Sequence, residues 1–210
     1  LVISIDGGGP NEMYQIADSF EWKFGKKTII QHHENLGLRK HIISCGDLTE
    51  KFGSIILLED DLFVSPNFYN YAVKALEFYD TNDKIAGISL YTYSFNENAF
   101  LPFIPIKSSF DTYFKQVPSS CGQAWSYKHW KGFKEFYNSN PVITSSDKLP
   151  ENVKKWPESS WKKYFYKYIV DYDLYFVFPY LAYTTNFGDI GTHFNESTTF
   201  FQIPIDTNIK

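Results

Sequence analysis

A length of 210 residues suffices for one sizeable domain with a real core, and 43% hydrophobic against 21% charged residues argues against a disordered chain. A net charge of −4 with no Lys/Arg block argues against a nucleic-acid backbone binder, and no apolar run approaches the ~20 residues of a membrane span. The 20% aromatic content serves core packing, sugar stacking or base stacking alike and decides nothing alone. The two cysteines, Cys45 and Cys121, have no metal-type spacing. They are expected to be buried thiols in a cytoplasmic protein.

In chain order, LVISID is a strand followed by the glycines 7–9 and by Pro10-Asn11, a helix start. The helix is predicted over 11–24, closed by Gly25. KTIIQH is a short strand. A turn at 35–39 opens a helix reaching Phe52, closed by Gly53. SIILLED is a third strand whose continuous apolar run predicts burial on both faces. Ser65-Pro66 starts a helix ending near Tyr79, and KIAGISLY is a fourth strand. Alternating strands and helices over the first 90 residues predict a single α/β domain, a sandwich with a mostly parallel central sheet. The second half is less regular: a loop over 92–110, a strand in DTYFKQV, and a helix from about Ser126 after the tight segment CGQAW. A polar connector follows, then a helix in PESSWKKYFYKYIV and an apolar stretch broken by Pro179. The chain opens in mid-strand, so a first strand and helix are expected to be missing.

In IILLEDDL four apolar residues run without a turn residue into Glu59, Asp60 and Asp61, and Leu62 and Phe63 resume the apolar pattern. Solvated strand-end charges are the plain reading. Three like charges at the lip of a core point instead to a positive partner. Asp6 also ends a strand, where ligands of open α/β sheets bind. A divalent cation, Mn²⁺ or Mg²⁺, suits one or two carboxylates completed by phosphate oxygens and water. Alternation separates Asp60 from its neighbours. Asp61 is assigned to the metal, with Glu59 and Asp60 on sugar or ribose hydroxyls.

SIILLEDDLFVSPNFYNYAVKALEFY resembles the central segment of nucleotide-sugar glycosyltransferases of the GT-A fold. The likeness is to the inverting N-acetylglucosaminyltransferase I type and to related bacterial, family 2-like polysaccharide glycosyltransferases. LVISIDGGG, ENLGLRKHI, SSCGQAWSYKHW, WPESSWKKYF and TTNFGDIGTHF resemble further segments of that family in the same order, so the likeness spans most of residues 1–194. It implies a Rossmann-like three-layer GT-A sandwich, with nucleotide binding in residues 1–90 and the acceptor side in 91–210. It also implies metal-dependent, inverting transfer of a sugar from a nucleotide diphosphate donor, a UDP-sugar foremost, to a glycan hydroxyl. A lipid-linked acceptor at a membrane surface is one implied partner. Nucleic acid is not one. Where the family carries the acidic residues of its catalytic base, this chain has Lys162 and Lys163. Glu158 and Asp189 are therefore the candidate bases, with Asp171 and Asp173 behind them.

The remaining candidates each carry two readings. Asp6 either caps the glycine turn or, as the resemblance implies, contacts the base, with Gly7 allowing close approach. Arg39 is a surface charge or a phosphate ligand. His193, near Asp189, is structural or a ligand of metal or diphosphate. Trp125 is core or, by the resemblance, a sugar-stacking wall. Two rival functions stand: a nucleotidyltransferase acting on sugar phosphates, and a non-catalytic carbohydrate-binding domain.

Overall fold

The computed structural model describes residues 1–99, 101–189 and 196–208. The chain divides into two compact units, Leu1–Cys45 with Pro157–Trp161 and Gly46–Trp156 with Lys162–Lys210. The first contains β1 (Val2–Ile5), α1 (Asn11–Ser19) and β2 (Thr28–Gln31), and α2 (Gly37–Asp47) begins in it. β1 and β2 pair in parallel from Val2 opposite Thr28 to Ile5 opposite Gln31, as a helical crossover requires. α1 stops at Ser19, short of the predicted 24, because Phe20 turns extended. Lys27 Nζ then donates to the carbonyls of Ala17, Asp18 and Phe20 at 2.8, 2.6 and 2.8 Å, a cation placed on the helix end.

The second unit continues with α3 (Thr49–Phe52), β3 (Ser54–Leu57), β4 (Leu62–Val64), α4 (Phe68–Tyr79) and β5 (Ile85–Ser89). The short hairpin β6 (Phe95–Asn96) and β7 (Leu101–Pro102) comes next, then β8 (Thr112–Lys115), β9 (Gln123–Ser126) and α5 (Tyr127–Asn138). It ends with α6 (Glu151–Lys154), α7 (Trp161–Asp171), β10 (Tyr175–Pro179) and β11 (Thr184–Asn186). Its main sheet has the order β3-β9-β5-β10-β8.

The α/β class holds, but this sheet is mixed rather than mostly parallel. β5 and β10 pair in parallel, whereas β3–β9, β9–β5 and β10–β8 are antiparallel. The difference lies chiefly in CGQAW. Its residues from Gln123 on form a buried strand inserted between β3 and β5 and running against both, so that β3, β5 and β10 still share one direction. The insertion leaves β3 at the sheet edge. Its apolar run is accordingly half-buried, not covered on both faces.

Alternation along β9 sends neighbouring side chains to opposite faces. Ala124 packs with Ala72, Ala75 and Leu76 of α4 and with Ile88 and Val177 of the adjoining strands. Trp125 stacks on Phe165 of α7 at 5.7 Å and meets Trp130 of α5 at 4.9 Å. Each fully buried large apolar side chain contributes about 1.5–3 kcal/mol. Gly87 in β5 makes room for this face: a Cβ there would lie 2.6 Å from the Phe176 ring and 2.8 Å from Trp125 Nε1. Among the described residues no helix is long and apolar enough to cross a membrane.

Candidate functional site

Leu57, Gln123 and Ser89 lie side by side across β3, β9 and β5, at the end where the co-directional strands finish. Beyond Leu57 the chain turns, with the Leu62 N–H donating to the Glu59 carbonyl at 3.3 Å, and enters β4. β4 pairs antiparallel with β11, Leu62 opposite Asn186 and Phe63 opposite Thr185. This ribbon holds Asp61 from two sides. The Phe187 N–H donates to the Asp61 carbonyl, and Asn186 Nδ2 donates to Asp61 Oδ2, both at 2.8 Å. Asn186 Oδ1 in turn accepts the Gly188 N–H at 2.7 Å. Gly188 has φ +70°, and a Cβ there would fall 1.7 Å from the Thr198 carbonyl oxygen, so the segment closes only around glycine. Asp189 follows at once and is exposed. The ribbon thus brings the acidic triplet and the segment carrying Asp189 to one place.

Asp60 and Asp61 are exposed and Glu59 is half-buried. Burial first, then the adjacent Asp61 and Asp60 charges, push the Glu59 carboxyl up to about 7, while Lys162 opposes the rise. The positive charge that acts on Glu59 is thus Lys162, through space rather than as an ion pair. Lys162 Nζ donates to the Tyr93 hydroxyl at 3.2 Å and stands 3.8 Å from a Glu97 carboxylate oxygen. It lies 5.8 and 5.6 Å from the ring centres of Tyr93 and Trp156. Lys115 shares this neighbourhood, 4.5 Å over Tyr93 and 4.4 Å over Phe103. Burial lowers it to about 8, with Glu97 opposing and Lys162 adding to the fall. Burial pushes the Cys121 thiol up to about 12, which leaves it an inert thiol.

Three candidates of the second unit are corrected. Trp125 is fully buried between Trp130 and Phe165, so it presents no face to a sugar. Asp173 pairs with Lys84 at 2.7 Å beyond the start of β10, the opposite end of the sheet from Glu59. Asp171, in the last turn of α7, pairs with Lys167 at 3.0 Å. His193 lies outside the described residues. Glu97 and Gln123 are not among the sequence candidates, and Lys162 stands there only as a departure from the resemblance. Gln123 is fully buried, and neither atom of its amide group has a hydrogen-bond partner among the described residues. A glutamine at the head of the short run Gln-Ala-Trp was the available signal.

The other candidates belong to the first unit. The Asp6 carboxylate accepts the N–H groups of Gly7 at 2.9 Å, Leu36 at 2.8 Å and Gly37 at 3.0 Å, tying the glycine turn to the start of α2. Burial acts to raise its pKa, but these N–H groups and His41 outweigh burial and hold it below the usual range. Gly7 is needed for this approach, since a Cβ would lie 2.3 Å from the Glu34 carbonyl carbon. Arg39 and Glu158 meet as well: Arg39 Nη1 donates to the Glu158 carbonyl at 2.5 Å.

Among the described residues no group of three or more His, Cys, Asp or Glu side chains is placed to hold a metal ion. A single exposed carboxylate fixed by Asn186, such as Asp61, suits Mg²⁺ or Mn²⁺ shared with phosphate oxygens and water. Comparison of the chain with protein-family models and with curated protein sequences finds no match.

Proposed function

We propose that the chain is a metal-dependent glycosyltransferase that moves a sugar from a nucleotide diphosphate sugar, UDP-linked foremost, to a glycan hydroxyl with inversion. The observation that carries this reading is the Asp61 carboxylate, exposed and oriented by the β4–β11 ribbon past the end of a strand. When bound, Mn²⁺ or Mg²⁺ would neutralise the diphosphate leaving group. Asp61 is the residue that would hold it. Glu59 and Asp60 would engage sugar or ribose hydroxyls, and Asp189 is the candidate base for the acceptor hydroxyl. The finer fold reading is a Rossmann-like GT-A sandwich. The shared direction of β3, β5 and β10 in the main sheet supports it. Work on a cytoplasmic, lipid-linked glycan of a bacterial surface polysaccharide belongs to the same proposal.

Calorimetric titration of UDP and GDP, with and without Mn²⁺, into wild type and Asp61→Ala tests the core of this reading. Metal-dependent nucleotide binding that disappears in the variant is expected. Binding indifferent to both metal and the substitution would sink the metal role, and no nucleotide binding at all would sink the donor assignment.

A further inference from the structure

Beside Asp61 lies a pocket of about 390 Å³ to which the sequence drew no attention. Its lining includes Phe63 from β4, Thr185 and Asn186 from β11, and Phe187, Gln202 and Ile203 from the segments that follow. The volume falls within the roughly 300–1,000 Å³ usual for small-molecule sites. Phe63 and Phe187 meet edge to face, with ring centres 6.1 Å apart and planes at 79°, so they form two walls nearly at right angles. They keep 53% and 47% of their surface in solvent, so both rings are open to a ligand.

The polar groups between these walls are fixed in advance. Thr185 Oγ1 accepts the Ile203 N–H at 2.9 Å, which leaves its hydroxyl proton to donate. Gln202 Nε2 donates to the Phe187 carbonyl at 2.6 Å, which leaves its carbonyl oxygen as an acceptor. Asn186, also in the lining, holds Asp61 through its amide and so couples the pocket to the carboxylate.

We infer that this pocket takes a pyranose ring of the acceptor glycan, an assignment that rests on the transferase reading above. A pyranose offers what these walls and groups complement: an apolar C–H face for an aromatic ring, and rim hydroxyls that both donate and accept. The partial exposure favours acceptor over donor. The reacting donor sugar is shielded from water, whereas a residue within a longer glycan leaves its neighbours in solvent.

Saturation-transfer NMR decides the matter with the methyl pyranosides of glucose, galactose, mannose and N-acetylglucosamine, and with UDP or UDP-glucose plus diamagnetic Mg²⁺ in parallel samples. Wild type, Phe63→Ala and Phe63→Trp are compared, the tryptophan restoring a ring where alanine removes it. The expected result is saturable transfer to at least one glycoside, about tenfold weaker in the alanine variant and retained in the tryptophan variant, with UDP binding equal in all three. Absence of saturable transfer to every glycoside, or equal affinity in wild type and Phe63→Ala, overturns the proposal. A Phe63→Ala effect confined to UDP-sugar over UDP would give the pocket to the donor and overturn the acceptor assignment. Glycoside binding that follows the ring without any UDP binding would support the sugar pocket while removing the nucleotide-sugar reading.

Discussion

Replacing Glu59 by glutamine isolates the electrostatic tension at the end of β3. The folded protein raises this carboxyl from its ordinary value of 4.5 to about 7, through burial and the Asp61 and Asp60 charges. A raised carboxyl favours the folded state only while protonated. Its contribution is full below about 4.5 and is lost as pH rises through about 7. A rise of that size corresponds to about 3 kcal/mol, and solvent reaching the half-buried group lowers it to ~1–2 kcal/mol. Glutamine keeps the shape and cannot ionise. Urea unfolding of wild type and Glu59→Gln at pH 5 and pH 8 reads the effect, because other titrating groups cancel in the difference. Relative to the variant, wild type should lose about 1–2 kcal/mol between the two pH values. A difference that stays constant with pH, or that moves in favour of wild type at pH 8, would refute the assignment of a raised, half-buried carboxyl to Glu59.

Two further substitutions probe the same end of the sheet. Gln123→Met removes a fully buried amide that has no hydrogen-bond partner among the described residues, so it should leave stability unchanged or raise it by about 1 kcal/mol. Thermal unfolding with a lowered midpoint would show that the amide is bonded after all. Gly188→Ala places a Cβ 1.7 Å from the Thr198 carbonyl oxygen at φ +70°, and should cost roughly 2–4 kcal/mol in chemical unfolding. Under the proposed function it should also weaken Mn²⁺-dependent UDP binding by loosening the Asn186 grip on Asp61. A variant as stable as wild type would show that the 188–198 contact is not a constraint.

Local signals carried a good part of this architecture. The strand in KIAGISLY, the helix after Ser126 and the helix in WKKYFYKYIV follow from periodicity and capping, and each forms near its predicted place. The main-sheet topology did not follow. Whether Gln123–Ser126 pairs with β3 and β5 depends on partners about 70 and 35 residues away in sequence, and nothing within CGQAW announces that pairing. The same non-local choice decided Trp125. A tryptophan after a glycine turn suits a pocket wall or a core equally, and Gly87, opposite in the next strand, opens the core space that receives it. Asp61 and Asp189 are both candidate site residues in the sequence. What joins them is the β4–β11 pairing, two three-residue strands too short to register as periodic.

Charge accounting over the triplet shows why a strand end tolerates three carboxylates. Glu59, the half-buried member, is offset by Lys162 and by its own rise toward neutrality. Asp60 is exposed and solvated. Asp61 is also exposed but is held in place by a neutral amide, and among the described residues no lysine or arginine pairs with it. Fixing a carboxylate costs side-chain entropy, and a neutral donor orients the group without cancelling its charge. Of the three, Asp61 is therefore where an added cation gains most.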